Sequence, residues 1–311
     1  MKGLIGIILS IFFCSALAAK ENCTVPAGAL LPDLMSVVPQ HLGLQNAQQE
    51  EIIGFSNSIA NLGKGLWWLE PEFPEISDIN QVQSAYQVFA STTTITDDAP
   101  PANSPEVLGR CKKGEFAYHP SHNHWHINHV AEFKVCEPSD FLAKKAAGKP
   151  DQCQAVPVKS GVAASVKVTF CLIDWVKLGE NTSTSDPSRN FWDCATSFQG
   201  ITPGWVDQYH HSTPDQQIYI TGIAPGEYYI VTTANYDKLF EEMEKNNNTS
   251  WLKIRVDRSS NGNPKITELE TACDDQDYRN KLISAVNNYT TDVALREKIE
   301  NDMCGNMGTN K

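Results

Sequence analysis

Eight cysteines constrain this chain more than any other feature. The sequence has nine in 311 residues. The first, Cys14, falls in an N-terminal segment with the marks of a secretory leader: Lys2, the apolar run "LIGIILSIFF" and the small-residue stretch "SALAA". Residues 1–19 read as a signal peptide cleaved after Ala18 or Ala19, so the mature protein is expected to be secreted. The other cysteines are Cys23, Cys111, Cys136, Cys153, Cys171, Cys194, Cys273 and Cys304. An even set in an oxidising compartment favours disulfides over a thiolate metal site. About a hundred connectivities are open to eight cysteines. Proximity favours Cys136–Cys153, Cys171–Cys194 and Cys273–Cys304, which leaves Cys23 with Cys111. Sequons at Asn22, Asn181, Asn247, Asn248 and Asn288 fit a eukaryotic secretory route.

Between the cysteines the pattern is that of strands. "EIIGFSNSIANLG" (51–63), "HVAEFKVC" (129–136), "SVKVTFCLID" (165–174), "QQIYITGI" (216–223), "GEYYIVTTAN" (226–235) and "WLKIRVD" (251–257) are rich in β-branched and aromatic residues and are punctuated by Gly, Pro and Asn. The expected fold is all-β, an irregular β-sandwich with long loops. Residues 76–107, with "DDAPPANSP", read as an insertion, and 137–160 as a loop clipped by Cys136 and Cys153. Near the C-terminus Tyr278, Leu282, Ile283 and Val286 keep helical spacing, as do Leu295, Ile299 and Met303. The division expected is a signal peptide (1–19), a short N-terminal segment (20–30), a catalytic domain (31–257) and a helical C-terminal extension (258–311), read as an appendage. The net charge of −12 argues against nucleic acid and suits a cationic partner or a solvated acidic surface. After the leader no apolar run is long enough for a transmembrane segment.

The segment "HPSHNHWHINH" (119–129) holds five of the eight histidines. His122, His124 and His126 alternate with Asn123 and Trp125. On a helix the middle ring would turn about 200° away from the first; on a strand all three share a face. Three imidazoles with an open far side suit zinc, copper, iron or nickel, in the pattern of catalytic rather than closed structural sites. His119 and His129 are left as outer-sphere groups, acid/base groups or ordinary surface.

These residues resemble the lysyl oxidase family. "HPSHNHWHINHVAEF" is similar to its copper segment, an H-x-H-x-H followed by E-F, with two residues added before Glu132-Phe133. "VKVTFCLID" (166–174) is similar to the segment around its cofactor lysine, and "FQGITPGWVDQY" (198–209) to the one leading to its cofactor tyrosine. "IAPGEYYI" and "NNTSWLKIRV" are similar to the strands that follow, so the resemblance runs over about residues 31–257. It implies copper on His122, His124 and His126, and a lysine tyrosylquinone built from Lys167 and Tyr209. It implies oxidative deamination of peptidyl lysine or another primary amine by O2, with an aldehyde, H2O2 and ammonia as products. The natural partner would be an extracellular lysine-rich protein or a small amine. Asp207, two residues before Tyr209, is a candidate base; His129, His210 and His211 are alternatives.

The departures are informative. Val135 stands where the family often has a histidine, and Ser121 where animal members have a cysteine. Family cysteines near Trp205 and Gln216 are also missing, so the animal disulfide pattern does not transfer, and Cys171 and Cys194 are paired with each other. The resemblance further implies calcium, with Asp33 and Leu34 of "LLPDL" and Glu242, Glu244, Asn247 and Asn248 of "EEMEKNNNTS" as oxygen ligands; the two asparagines would then carry no glycan. The rival readings are a non-catalytic metal-binding module and a zinc hydrolase using the three histidines. Neither gives Lys167 and Tyr209 a role.

Overall fold

A computed structural model describes residues 23–47, 50–73, 78–95, 106–180, 186–194, 198–213 and 216–307. The leader, the sequons at Asn22 and Asn181, and the Pro-rich stretch lie outside the described residues. Two antiparallel sheets form the body. The smaller contains β1 (Leu34–Ser36), β2 (Gln40–Ala47), β3 (Glu50–Asn61), β9 (Val176–Lys177), β11 (Trp205–Tyr209) and β12 (Gln217–Tyr219). The larger contains β4 (Trp67–Pro71), β5 (Gln83–Ala90), β6 (Val107–His119), β7 (His124–Cys136), β8 (Ser165–Phe170), β10 (Gln199–Ile201), β13 (Gly226–Ala234), β14 (Thr249–Arg258) and β15 (Pro264–Thr271).

The all-β expectation holds. Strand alternation sends one row of side chains inward from each sheet: Ile53, Phe55 and Trp205 from the smaller, and Phe116, Phe133 and Ile230 from the larger, all buried in one core. Phe55 meets Phe133 edge-on with ring centres 5.1 Å apart, a direct bridge between the sheets.

A second core lies on the other face of the smaller sheet. Met35, Ala60 and Val206 pack there with Leu282, Val286, Ile299 and Met303. The last four come from or adjoin α2 (Gln276–Tyr289) and α3 (Val293–Asn301), which keep the helical spacing read from the sequence. Two features of 258–311 differ from the sequence reading. The segment opens with β15, which extends the larger sheet beside β14. The helices are also docked into the fold rather than appended: Val38 N donates to the Met303 carbonyl at 3.1 Å, Gly179 N to Asp302 at 2.7 Å, and Tyr278 OH to the Ser36 carbonyl at 3.3 Å. Gly204 sits at φ +82° just before β11, and a β-carbon there would fall 2.0 Å from the Tyr289 hydroxyl.

The four disulfides are Cys23–Cys111, Cys136–Cys153, Cys171–Cys194 and Cys273–Cys304, the pairs that proximity favoured. Residues 76–107 contain β5, and the clipped loop 137–160 contains a helix, α1 (Pro138–Ala146), whose Phe141 stacks on Tyr229.

Candidate metal and cofactor site

The histidines gather at the β6–β7 hairpin. His119 ends β6 directly opposite His124 at the start of β7, and Ala117 opposes His126. His124 and His126 are therefore on one strand, as their spacing implied, but His122 lies in the connecting turn. Asn123 at φ 60° completes that turn. The hairpin also adds a fourth ring, His119, stacked on His126 at 4.6 Å and 4.4 Å from His122. His124 is 4.9 Å from His126 and 5.5 Å from His122.

Two of these rings, His124 and His126, are held toward the neutral imidazole. His126 is 1% exposed, and burial, then the neighbouring histidines, push it down to about 2. Burial, then His122 and His119, lower His124 as well. Neutral imidazole is the metal-binding form. His126 Nδ1 lies 2.8 Å from the Thr169 hydroxyl, which orients the ring and leaves Nε2 3.1 Å from His122 Nδ1. A hydroxyl on the rear nitrogen is the usual way a ligand histidine is oriented. His119, His122 and His126 offer nitrogens within 4.8 Å of one another. His124 Nε2 is buried with no hydrogen-bond partner among the described residues, beside Cys171–Cys194. The donor set fits a nitrogen-loving metal.

Tyr209 borders this cluster, with its ring centre 6.4 Å from those of both His122 and His126. It stacks on Phe170 at 4.4 Å, and its hydroxyl accepts the Cys171 N–H at 2.9 Å. Burial, then Asp207, push the Tyr209 phenol upward. Asp207, two residues before Tyr209 on β11, is buried with Oδ2 lacking a partner among the described residues, and burial, then Asp174, raise its pKa well above the usual carboxylate range. Lys167 is elsewhere: its Nζ lies 4.7 Å above the Tyr236 ring. His129 is beside it, at φ 63°, with Nδ1 2.9 Å from Asp237 and 3.1 Å from the Tyr236 hydroxyl. The hydrogen bond that its ring donates to Asp237 raises its pKa. The structure thus brings Tyr209 to the histidines and groups Lys167 with His129. Tyr236 had drawn no notice in the sequence.

The calcium candidates also converge. Asp33 and Glu242 are 1% and 6% exposed. Burial pushes Asp33 up to about 6 and Glu242 up to about 8. Their partners are amides: Asn247 donates to Asp33 at 2.8 Å, Asn248 to Glu242 at 2.7 Å, and the Leu34 N–H to Glu242 at 3.0 Å. Glu244 is exposed, and its charge also raises Asp33. The side-chain oxygens of Asn247 and Asn248 are buried without partners among the described residues. Two buried carboxylates beside two orphan oxygens form a costly arrangement that a hard cation would relieve. Burial at 5% and 4% also leaves no room for glycans on these asparagines.

Residues 154–262 match the lysyl oxidase family model. Over that segment the chain is similar to the lysyl oxidases. Over 94 residues it is 32% identical to protein-lysine 6-oxidase of Sus scrofa, covering 30% of this chain and 35% of that protein. Over 197 residues it is 27% identical to lysyl oxidase homolog 2B of Danio rerio, covering 57% of this chain and 22% of that one. Lysyl oxidase homolog 2 of Rattus norvegicus is 28% identical over 151 residues, covering 48% and 16%. The match thus spans about a third or less of each of these relatives. The family segment takes in Lys167, Asp207 and Tyr209, while the histidine hairpin lies before it. Among the described residues no helix is long and apolar enough to cross a membrane.

Proposed function

We propose that this protein is a secreted copper-dependent amine oxidase of lysyl oxidase type, acting on peptidyl lysine or another primary amine. The observation that carries the reading is the cluster of four histidine rings with the Tyr209 ring at its edge. His122, His124 and His126 would hold copper, and His119 is placed to join or replace one of them. Bound copper would supply oxidation of Tyr209 by O2 to the quinone that Lys167 completes, and the finished cofactor would supply amine oxidation with release of peroxide and ammonia.

The chain's own part is placement. Thr169 fixes the His126 ring, the Cys171 N–H holds the Tyr209 oxygen, and Phe170 holds the ring plane. Asp207, hidden behind Tyr209, is positioned to exchange a proton within the site rather than with solvent. His129, half-exposed and paired with Asp237, is the more accessible candidate base. Asp33, Leu34, Glu242, Glu244, Asn247 and Asn248 form the proposed calcium site. It ties the start of β1 to the loop before β14.

The test is peptide mass spectrometry of protein produced with copper. One joined species containing Lys167 and Tyr209 is expected, together with a quinone absorbance that phenylhydrazine shifts. Separate, unmodified peptides in fully copper-loaded protein would overturn the cofactor and leave a metal-binding module.

A further inference from the structure

The histidines outside the hairpin are not scattered. His129 pairs with Asp237, and the remaining three, His41, His210 and His211, meet at one place on the smaller sheet. The His41 ring centre is 6.4 Å from those of both His210 and His211, which are 3.9 Å apart. We propose that these three residues form a second site, for a divalent transition metal of the copper, nickel and zinc class.

Three features mark this group of rings as set for a ligand. The first is backbone. β2 slips register against β3 between Gln40 and Gly43, and His41 there adopts φ 52°. A bulge re-aims a side chain, and a non-glycine residue at positive φ carries a cost that a functional demand explains. The second is the rear hydrogen bonds. His41 Nδ1 is 3.0 Å from the Ser56 hydroxyl, and His210 Nδ1 is 2.8 Å from the Ser212 hydroxyl. His41 then presents Nε2 as the ligand atom, while His210 Nδ1 also accepts the Ser212 N–H at 3.4 Å and must turn from Ser212 to bind. The third is an orphan: His211 Nδ1 is buried with no partner among the described residues, and a metal would satisfy it.

The site is seated on the sheet. The His211 N–H donates to Ser56 at 3.2 Å, so one hydroxyl positions both His41 and the loop after β11. A β-carbon on Gly54 would fall 2.7 Å from the His211 carbonyl oxygen, so the glycine admits the loop at this height. His210 and His211 lie closer than two ligands of one ion, and rotation of the exposed His210 ring opens that angle. Imidazole-only donors select the borderline metals rather than calcium or magnesium.

Copper(II) is the probe. Dialysis of the full chain against a small excess, followed by elemental analysis, should give two ions per chain in the wild type. His210→Ala and His41→Asn, the latter keeping a residue that tolerates positive φ, should each retain one. Ser56→Ala should weaken uptake of the second ion about 10–100-fold. His124→Ala should lose the hairpin ion and keep this one, with nitrogen hyperfine structure in its electron paramagnetic resonance spectrum. One ion in the wild type that His124→Ala removes would overturn this site and leave the amine-oxidase reading standing. A second ion that survives both His210→Ala and His41→Asn would also overturn it, and His210 is exposed enough for that variant to fold.

Discussion

Asp33→Asn should reverse its effect on stability according to whether calcium is present. In the wild type the Asp33 carboxyl is buried, it accepts the Asn247 amide among the described residues, and burial moves it from 3.8 to about 6. At about 1.4 kcal/mol per unit, the ionised group costs roughly 3 kcal/mol near neutral pH when no cation faces it. An asparagine keeps an oxygen for Asn247 and removes the charge. With chelator, the variant should therefore equal or exceed the wild type, by up to roughly 3 kcal/mol. With calcium at about a hundred times Kd, the wild type gains about 2.7 kcal/mol, or roughly 4–5 °C in Tm for a chain of this size. The variant loses most of that gain. Four melting curves decide it: wild type and Asp33→Asn, each with EDTA and with excess calcium. Equal calcium shifts in the two proteins, or none in the wild type, would refute the cation site.

Gly204→Ala should cost at least about 1–2 kcal/mol from positive φ alone, and more from displacing Tyr289, seen as a lower midpoint in urea. Peptide mapping should find glycan on Asn288, exposed near the end of α2, and none on Asn247 or Asn248. Arg258 grips Glu51 across the two sheets and lowers its pKa chiefly through those hydrogen bonds. That stability, about 1–3 kcal/mol, is full above the ordinary 4.5 and fades as pH falls through the lowered value. Arg258→Met should remove it at pH 7 and flatten the acid side of the stability profile.

The legible strands were those whose alternation is apolar. β13, "GEYYIVTTA", and β14, "TSWLKIRVDR", show it openly. β5, "QSAYQVFA", was hidden in an apparent insertion because two inward positions are glutamines; Gln87 is buried by exchanging two hydrogen bonds with the Glu241 backbone. β6 carries Arg110, Lys112 and Lys113, a surface signature, yet Lys113 is buried against Glu241. His119 was ambiguous for a related reason. Its place in the cluster comes from hairpin register against His124, which no period within one strand reveals. The disulfides were easier, because three of the four close short stretches and fix the fourth by elimination.

β8 explains how one strand can serve both proposed cofactor residues while holding them apart. Val168 and Phe170 face the core, where Tyr209 stacks on Phe170. Lys167 and Thr169 leave from the other face; Thr169 reaches His126, and Lys167 reaches Tyr236. Two residues of strand separate Lys167 from Thr169, roughly 7 Å. The two faces meet just past the end of β8, where the Cys171 N–H holds the Tyr209 oxygen and His126 lies at the edge of the Tyr209 ring. The hold on Lys167 is a partly exposed cation–π contact, worth about 0.5–2 kcal/mol. A covalent bond to Tyr209 readily outweighs that. Under the proposed function, the arrangement would hold the Lys167 amine at little cost, away from the histidine cluster and on the face of β8 that carries Thr169 to His126.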